Sequence, residues 1–213
     1  MTQVTNTALV LVLLSVLAAF GTGRITLMIK MVALQGIMIS LLPLAMSHQL
    51  TAWDMIYTGA VLLIRGIVIP GAILIAIRKV AIRRDVHAIV GPHVSLLAAL
   101  LLIVAAFYVS ARITLPVPAQ NVLMLPTAIT LLVGGMFVLM TRRNAIAMVL
   151  GYIIMENGIY LGGGVFSTRA HHIVELGILL DVLAGVMLMG VILQNINRTL
   201  DDVDTSLLRS LKD

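Results

Sequence analysis

The chain contains no cysteine, which excludes disulfides, thiolate metal sites and iron–sulfur ligation within it. It is also poor in charge. Only 11% of its residues are Asp, Glu, Lys or Arg, where a soluble domain carries about a quarter. With 61% apolar residues and a strongly positive mean hydropathy, this scarcity excludes a soluble globular domain. Three kinds of motif are missing as well: a glycine-rich nucleotide loop, a helical histidine pair at metal-binding spacing, and a Ser–His–Asp pattern. Hydrolytic or redox chemistry has nothing in this chain to stand on, so neither a catalytic residue nor a cofactor of its own is expected. The net charge of +5 would suggest nucleic acid in a soluble protein; here topology accounts for it and no nucleic acid is expected.

What is present is apolar length. Seven apolar runs, at roughly 7–21, 25–47, 54–77, 93–111, 121–140, 144–164 and 173–195, use nearly all of the 213 residues, at about 20 residues per membrane helix. The expected fold is therefore all-α, a polytopic bundle of about seven membrane helices. The first run follows a polar start without a basic segment, so it reads as a retained helix, short enough either to tilt little or to cross incompletely. Pro43, Gly91-Pro92 and Pro116-Val-Pro118 punctuate the joints. With the amino terminus outside, one side collects Arg24, Arg78, Lys79, Arg83, Arg84, Arg142, Arg143, Arg198, Arg209 and Lys212, and the other holds Arg112 and Arg169. Cytoplasmic loops are the basic ones, so the expected orientation is N-out and C-in, in the cytoplasmic (inner) membrane. The tail 198–213 is charged and weakly amphipathic: a frayed end, or a segment docking on a partner.

Few charges remain inside the apolar runs: Lys30, Arg65, Glu156, Glu175 and Asp181. At ~1.5 Å per residue, Glu156 lies roughly 18 Å deep, Asp181 roughly 13 Å from the opposite face, Arg65 near the middle, and Lys30 about 9 Å in. An ionisable group at the centre of a membrane helix costs roughly 2.5–3.5 kcal/mol even on lenient scales. Lys30 can lift its ammonium to the interface, whereas Arg65 needs a carboxylate or water. Burial favours the neutral, protonated form of a carboxyl and a nearby cation favours the ionised form. Carboxyls alternating with cations at mid-membrane are thus what a proton relay requires. They are equally what a buried ion pair pinning helices together would look like. Glu175, with His171 and His172 near the outer boundary, reads either as a proton mouth or as plain interfacial polarity; adjacent histidines do not both face one ion, so no metal is expected. Asn157 is expected to satisfy the Glu156 carboxyl or a backbone group. Gly134-Gly135 and Gly162-Gly-Gly164 read as close-packing positions, with unwinding of the second run as the alternative.

The run Arg142-Arg-Asn…Gly151-Tyr-Ile-Ile-Met-Glu156-Asn157-Gly158 resembles the hydrogenase-4 component E (HyfE) family of membrane subunits of group 4 hydrogenase and formate hydrogenlyase complexes. Arg65-Gly-Ile-Val-Ile-Pro70, Glu175-Leu-Gly-Ile…Asp181 and Leu207-Leu-Arg-Ser-Leu-Lys212 extend the likeness along the chain. The resemblance implies a non-catalytic subunit of a complex I-like assembly. Its membrane partners would be antiporter-like and quinone-site-like subunits, beneath a peripheral redox arm that holds nickel–iron and iron–sulfur centres. It also divides the chain into amino-terminal helices (1–115), a three-helix part (116–197) similar to the NuoK/MrpC-type small subunits, and the tail (198–213). Those subunits carry midplane glutamates in their second and third helices; here Glu156 lies about one turn later than usual and an aspartate, Asp181, replaces the second glutamate. Two other readings remain open: a structural spacer with ion-pair staples, and a subunit of a cation/proton antiporter.

The orientation is directly testable. Green fluorescent protein fused after Asp213 is expected to fluoresce, and alkaline phosphatase inserted at Pro116–Pro118 to be active; the reverse pattern inverts the topology.

Overall fold

The computed structural model of the chain describes residues 2–46, 52–79, 90–113, 121–142, 144–166, 181–183, 185–187 and 189–190. Regular structure among them is helical: α1 (Thr2–Gly21), α2 (Ile25–Met46), α3 (Ala52–Leu63), a π-helical turn (Ile64–Val68), α4 (Ile69–Lys79), α5 (Pro92–Ser110), α6 (Met124–Thr141) and α7 (Ala145–Phe166). Six membrane-crossing lengths are present among the described residues: Gln3–Gly21, Ile25–Ala45, Thr58–Ile75, Pro92–Ser110, Met124–Thr141 and Ala145–Val165. The expected all-α membrane bundle is therefore found. Of the expected seventh run, residues 181–183, 185–187 and 189–190 are described, and they are helical. His171, His172, Glu175 and the tail 198–213 lie outside the described residues.

One expectation is corrected. The first run is not a short segment from residue 7: α1 starts at Thr2 and is 20 residues long. Two of the polar residues before Ala8 find partners within the helical arrangement, Asn6 on Asn121 and Thr7 on its own helix. Thr7 Oγ1, for example, donates to Gln3 O at 2.9 Å, so hydroxyls that would otherwise favour a cap are absorbed by carbonyls one turn back. Ser15, Ser40, Thr127, Thr130 and Thr141 bond to their own helices in the same way, as apolar surroundings demand.

The π-helical turn has a visible cause. Pro70 follows it in α4, has no N–H to donate, and would press its ring on the carbonyl four residues earlier. The chain widens its hydrogen bonding instead, Ile69 N–H donating to Ile64 O. The widened turn contains Arg65, which is buried. Against it lies α2, where a Cβ on Gly36 would stand 3.2 Å from both Cβ and O of Arg65, and one on Gly66 would stand 2.9 Å from Ile37 Cγ1.

Helices α6 and α7 form the frame. They run antiparallel and touch backbone to backbone: a Cβ on Gly135 would collide with Met155 N and lie 2.6 Å from Gly151 O, one on Gly151 would lie 3.0 Å from Leu139 N, and one on Gly158 would collide with Leu132 N and lie 2.8 Å from Ala128 O. Close approach of this kind substitutes for a hydrophobic driving force in lipid. Gly135 thus has the expected packing role. Gly162 and Gly164 meet only ordinary contacts, 3.8 Å and 3.5 Å, and α7 passes through them without unwinding. The tight positions on α7 are Gly151 and Gly158, two turns apart on one face.

Helix α1 runs parallel to α6 and is fastened at both ends. Asn121 Nδ2 donates to Asn6 Oδ1 at 2.5 Å while Leu123 N–H donates to Asn121 Oδ1. At the other end Arg142 Nη2 donates to Phe20 O at 3.2 Å, and Phe20 stacks on Phe137 with ring centroids 5.3 Å apart. Arg142 is buried; burial lowers its pKa, yet a guanidinium keeps its charge and here faces the negative end of α1. Around this frame α2 packs on α1 and α7, the π turn and α4 pack on α2, and α5 packs on α1 and α6. The outward face of α5, with Val94, Leu97, Leu101, Val104 and Tyr108, is exposed and apolar.

Gly158→Ala is expected to lower stability by about 1–3 kcal/mol or more, because its methyl meets backbone that cannot yield, whereas Gly162→Ala, with room around it, is expected to be near neutral. Thermal unfolding of the detergent-solubilised chain separates the two; equal effects would mean that the helix contact is looser than described.

Candidate functional site

Three charges far apart in sequence converge, with Arg65 and Glu156 each near the middle of its membrane-crossing length. Arg65 Nη2 donates to Glu156 Oε1 at 2.6 Å, Nε to Asp181 Oδ2 at 3.3 Å, and Nη1 to Asn157 Oδ1 at 3.2 Å. The Tyr160 ring lies against the guanidinium, 4.6 Å from carbon to centroid, which adds a cation–π contact. Glu156 and Asn157 are each 1% exposed and Arg65 4%; the Asp181 side chain is 9% exposed. These are desolvated ion pairs, with the geometry such pairs need to survive in low dielectric.

Each partner is positioned by an element already described. The π turn sets Arg65. On α7, the face carrying Gly151 and Gly158 is held on α6, which leaves Glu156, Asn157 and Tyr160 to the remaining directions. Glu156 and Tyr160 are four residues apart and share one side of the helix, so both reach the same guanidinium. Asp181 comes from the helical segment after α7.

The charges do not cancel as drawn. One guanidinium carries +1; two ionised carboxyls would carry −2 and leave one uncompensated negative charge in a buried site. Glu156 Oε2 and Asp181 Oδ1 are both buried with no hydrogen-bond donor among the described residues, and both carboxyls meet the one guanidinium. A single proton held by the pair closes the charge at zero. It belongs to the pair and not to either residue. Asn157 completes the set in an unexpected way: its oxygen faces the cation and not a carboxyl, and its Nδ2 is left buried without an acceptor among the described residues.

A cavity of ≈ 10 Å³ adjoins the cluster, lined by Arg65, Asn157 and Asp181 with Val32, Gly36 and Ile153. A wider groove of ≈ 220 Å³ reaches Asp181 from its other side between Ile64, Val68, Ile73, Ile153 and Gly185. Among the described residues no His, Cys, Asp or Glu group of three or more gathers to hold a metal.

The chain is similar to hydrogenase-4 component E. That protein of Escherichia coli K12 is 28% identical over 159 residues, covering 74% of this chain and 73% of the relative, and that of Shigella flexneri matches to the same extent. The uncharacterised protein Rv0085 of Mycobacterium tuberculosis is 29% identical over 205 residues, 95% of this chain and 93% of the relative. No family model and no solved structure matches the chain.

Of the charges picked out in the sequence, then, the structure brings Arg65, Glu156 and Asp181 together. Lys30 is exposed on α2 and does not join them, which fits a side chain that reaches for the interface. Sequence reasoning passed over five residues. Tyr160 was signalled by its spacing from Glu156. Arg142 was counted as a loop cation although it is buried. The Gly151–Gly158 interval was visible as a two-turn repeat. Gln35 is wholly buried, with neither amide atom partnered among the described residues, and nothing in its apolar neighbourhood announced it.

Charge closure orders the variants. Glu156→Gln or Asp181→Asn leaves one carboxylate against one guanidinium, so each is expected to cost at most about 1.5 kcal/mol, the worth of an ordinary hydrogen bond. Combining them strands Arg65, which cannot shed its proton, at a cost of about 3–5 kcal/mol. Unfolding of the three variants in mixed micelles measures this; additive small effects would contradict the shared guanidinium.

Proposed function

We propose that the chain is an integral membrane subunit of a group 4, complex I-like hydrogenase assembly of the formate hydrogenlyase kind, and that Arg65, Glu156 and Asp181 form one station of its proton-translocating axis. The observation that carries this reading is the single guanidinium shared by two buried acids, a site whose neutral state contains one exchangeable proton. Membership of such an assembly is supported by the similarity to hydrogenase-4 component E together with six membrane-crossing helices.

In this reading the chain has no active site of its own. Nickel–iron and iron–sulfur centres belong to partner subunits in a peripheral arm, and antiporter-like and quinone-site-like subunits are its neighbours in the inner membrane. The stretch 116–197 is its NuoK/MrpC-like part, with α6 and α7 as the first two helices and Asp181 on the third. Glu175, His171 and His172 form the exit toward the outer side. Lys30 serves at the cytoplasmic interface, outside the central cluster.

Proton transfer follows from how the cation is divided. When Arg65 sits closer to Glu156, that carboxyl is the ionised one and Asp181 holds the proton; moving the guanidinium toward Asp181 reverses the assignment. Arg65 lies 2.6 Å from Glu156 and 3.3 Å from Asp181. A small displacement driven from the redox arm thus changes which acid releases.

The second reading is structural, and it too has an observation behind it: one side chain links the π turn, α7 and the segment bearing Asp181, as a staple would. Glu156→Gln and Asp181→Asn discriminate, since each preserves charge closure. In proteoliposomes holding the assembled complex, each is expected to reduce proton pumping at least about tenfold, equivalent to ~1.4 kcal/mol, with assembly intact. Full pumping in both variants leaves the staple; loss of assembly in either also favours it. Ion exchange by the purified chain alone would favour the antiporter reading instead.

A further inference from the structure

The cavity beside the cluster carries information about which ion the site handles. Its ≈ 10 Å³ is about the space that one water occupies. Two of its lining residues have buried polar atoms without a partner among the described residues: Asn157 Nδ2, a donor, and Asp181 Oδ1, an acceptor. The orientation of the Asn157 amide is not arbitrary. A guanidinium only donates, so the atom that receives Arg65 Nη1 must be the oxygen, and the nitrogen is committed to the other direction.

An alkali-metal cation is poorly served here on three counts. It needs a shell of several oxygen ligands, more than a one-water cavity admits. It would face an amide N–H₂, which presents positive charge. And the place a cation would take opposite both carboxyls is already filled by Arg65 Nη2 and Nε. Water suits every one of these groups, accepting from Asn157 Nδ2 and bonding Asp181 Oδ1 as donor when that oxygen is bare or as acceptor when it carries the proton.

We infer that this cavity binds one water between Asn157 and Asp181, and that the ion taken up at the cluster is the proton and not sodium. The water site and the exclusion of sodium stand on the geometry; their bearing on transport rests on the relay reading above.

Infrared spectroscopy of the assembled complex, in H₂O and D₂O and with sodium replaced by choline, tests the inference. A buried carboxylic-acid C=O band is expected, shifting on deuteration, lost in Glu156→Gln or Asp181→Asn, and unmoved by sodium. Asn157→Leu, which removes the donor at similar volume, is expected to shift that band upward as the bound water is lost. Absence of the band in the wild-type complex, or its loss on adding sodium, overturns proton selectivity; a band indifferent to Asn157→Leu overturns the water site. Because the wild-type sodium response is read at the cluster itself, it decides the matter even if the carboxyl variants pump normally and the relay reading falls.

Discussion

A buried guanidinium is the constraint on which the rest of the structure depends. Arg65 cannot neutralise itself, and without partners its charge would oppose folding in lipid by several kcal/mol. Everything around it answers that demand. Two carboxyls, an amide oxygen and an aromatic face occupy its directions, and the two-to-one ratio of acids to base leaves room for a proton. Removing both acids would strand the guanidinium, which makes the cluster costly to disassemble. A relay and a staple would draw on the same arrangement.

The glycines serve that arrangement at one remove. By letting α6 and α7 meet at their backbones, Gly135, Gly151 and Gly158 fix the rotation of α7, and with it the direction in which Glu156 and Asn157 point. Gly36 does the same for α2 against the π turn. Small residues set the angles and charged ones use them.

Much of this was legible in the sequence, for reasons that are physical. Hydropathy located the spans because a membrane helix must bury nearly every side chain in lipid or protein. The depths of Arg65, Glu156 and Asp181 identified them as the charges in need of explanation, since charge at mid-span is too costly to be incidental. The pairing of Arg65 with these carboxyls was legible too; the partner of Asn157 was not. Nothing in the spacing says that Asn157 turns its oxygen to Arg65, because that depends on the rotation of α7, which glycine contacts decide. The start of α1 was misread because polar residues look like a helix boundary until their hydroxyls bond back to the turn before. Arg142 was read as a loop charge because charge counting assigns a side of the membrane and says nothing of burial.

The two fastenings of α1 to α6 have a mechanical meaning. A pair of parallel rods tied at both ends, by Asn6–Asn121 and by Arg142–Phe20, resists sliding and twisting alike, and α7 is pressed to the same pair by backbone contact. Stiffness is thus concentrated on one flank of the bundle. The opposite flank, where α3 and α4 are joined by a widened turn instead of continuous α-helical bonding, is where an applied force would produce displacement. Arg65 stands on the compliant flank and Glu156 on the rigid one, so strain arriving from elsewhere in an assembly would be expressed as a change in the distance between them.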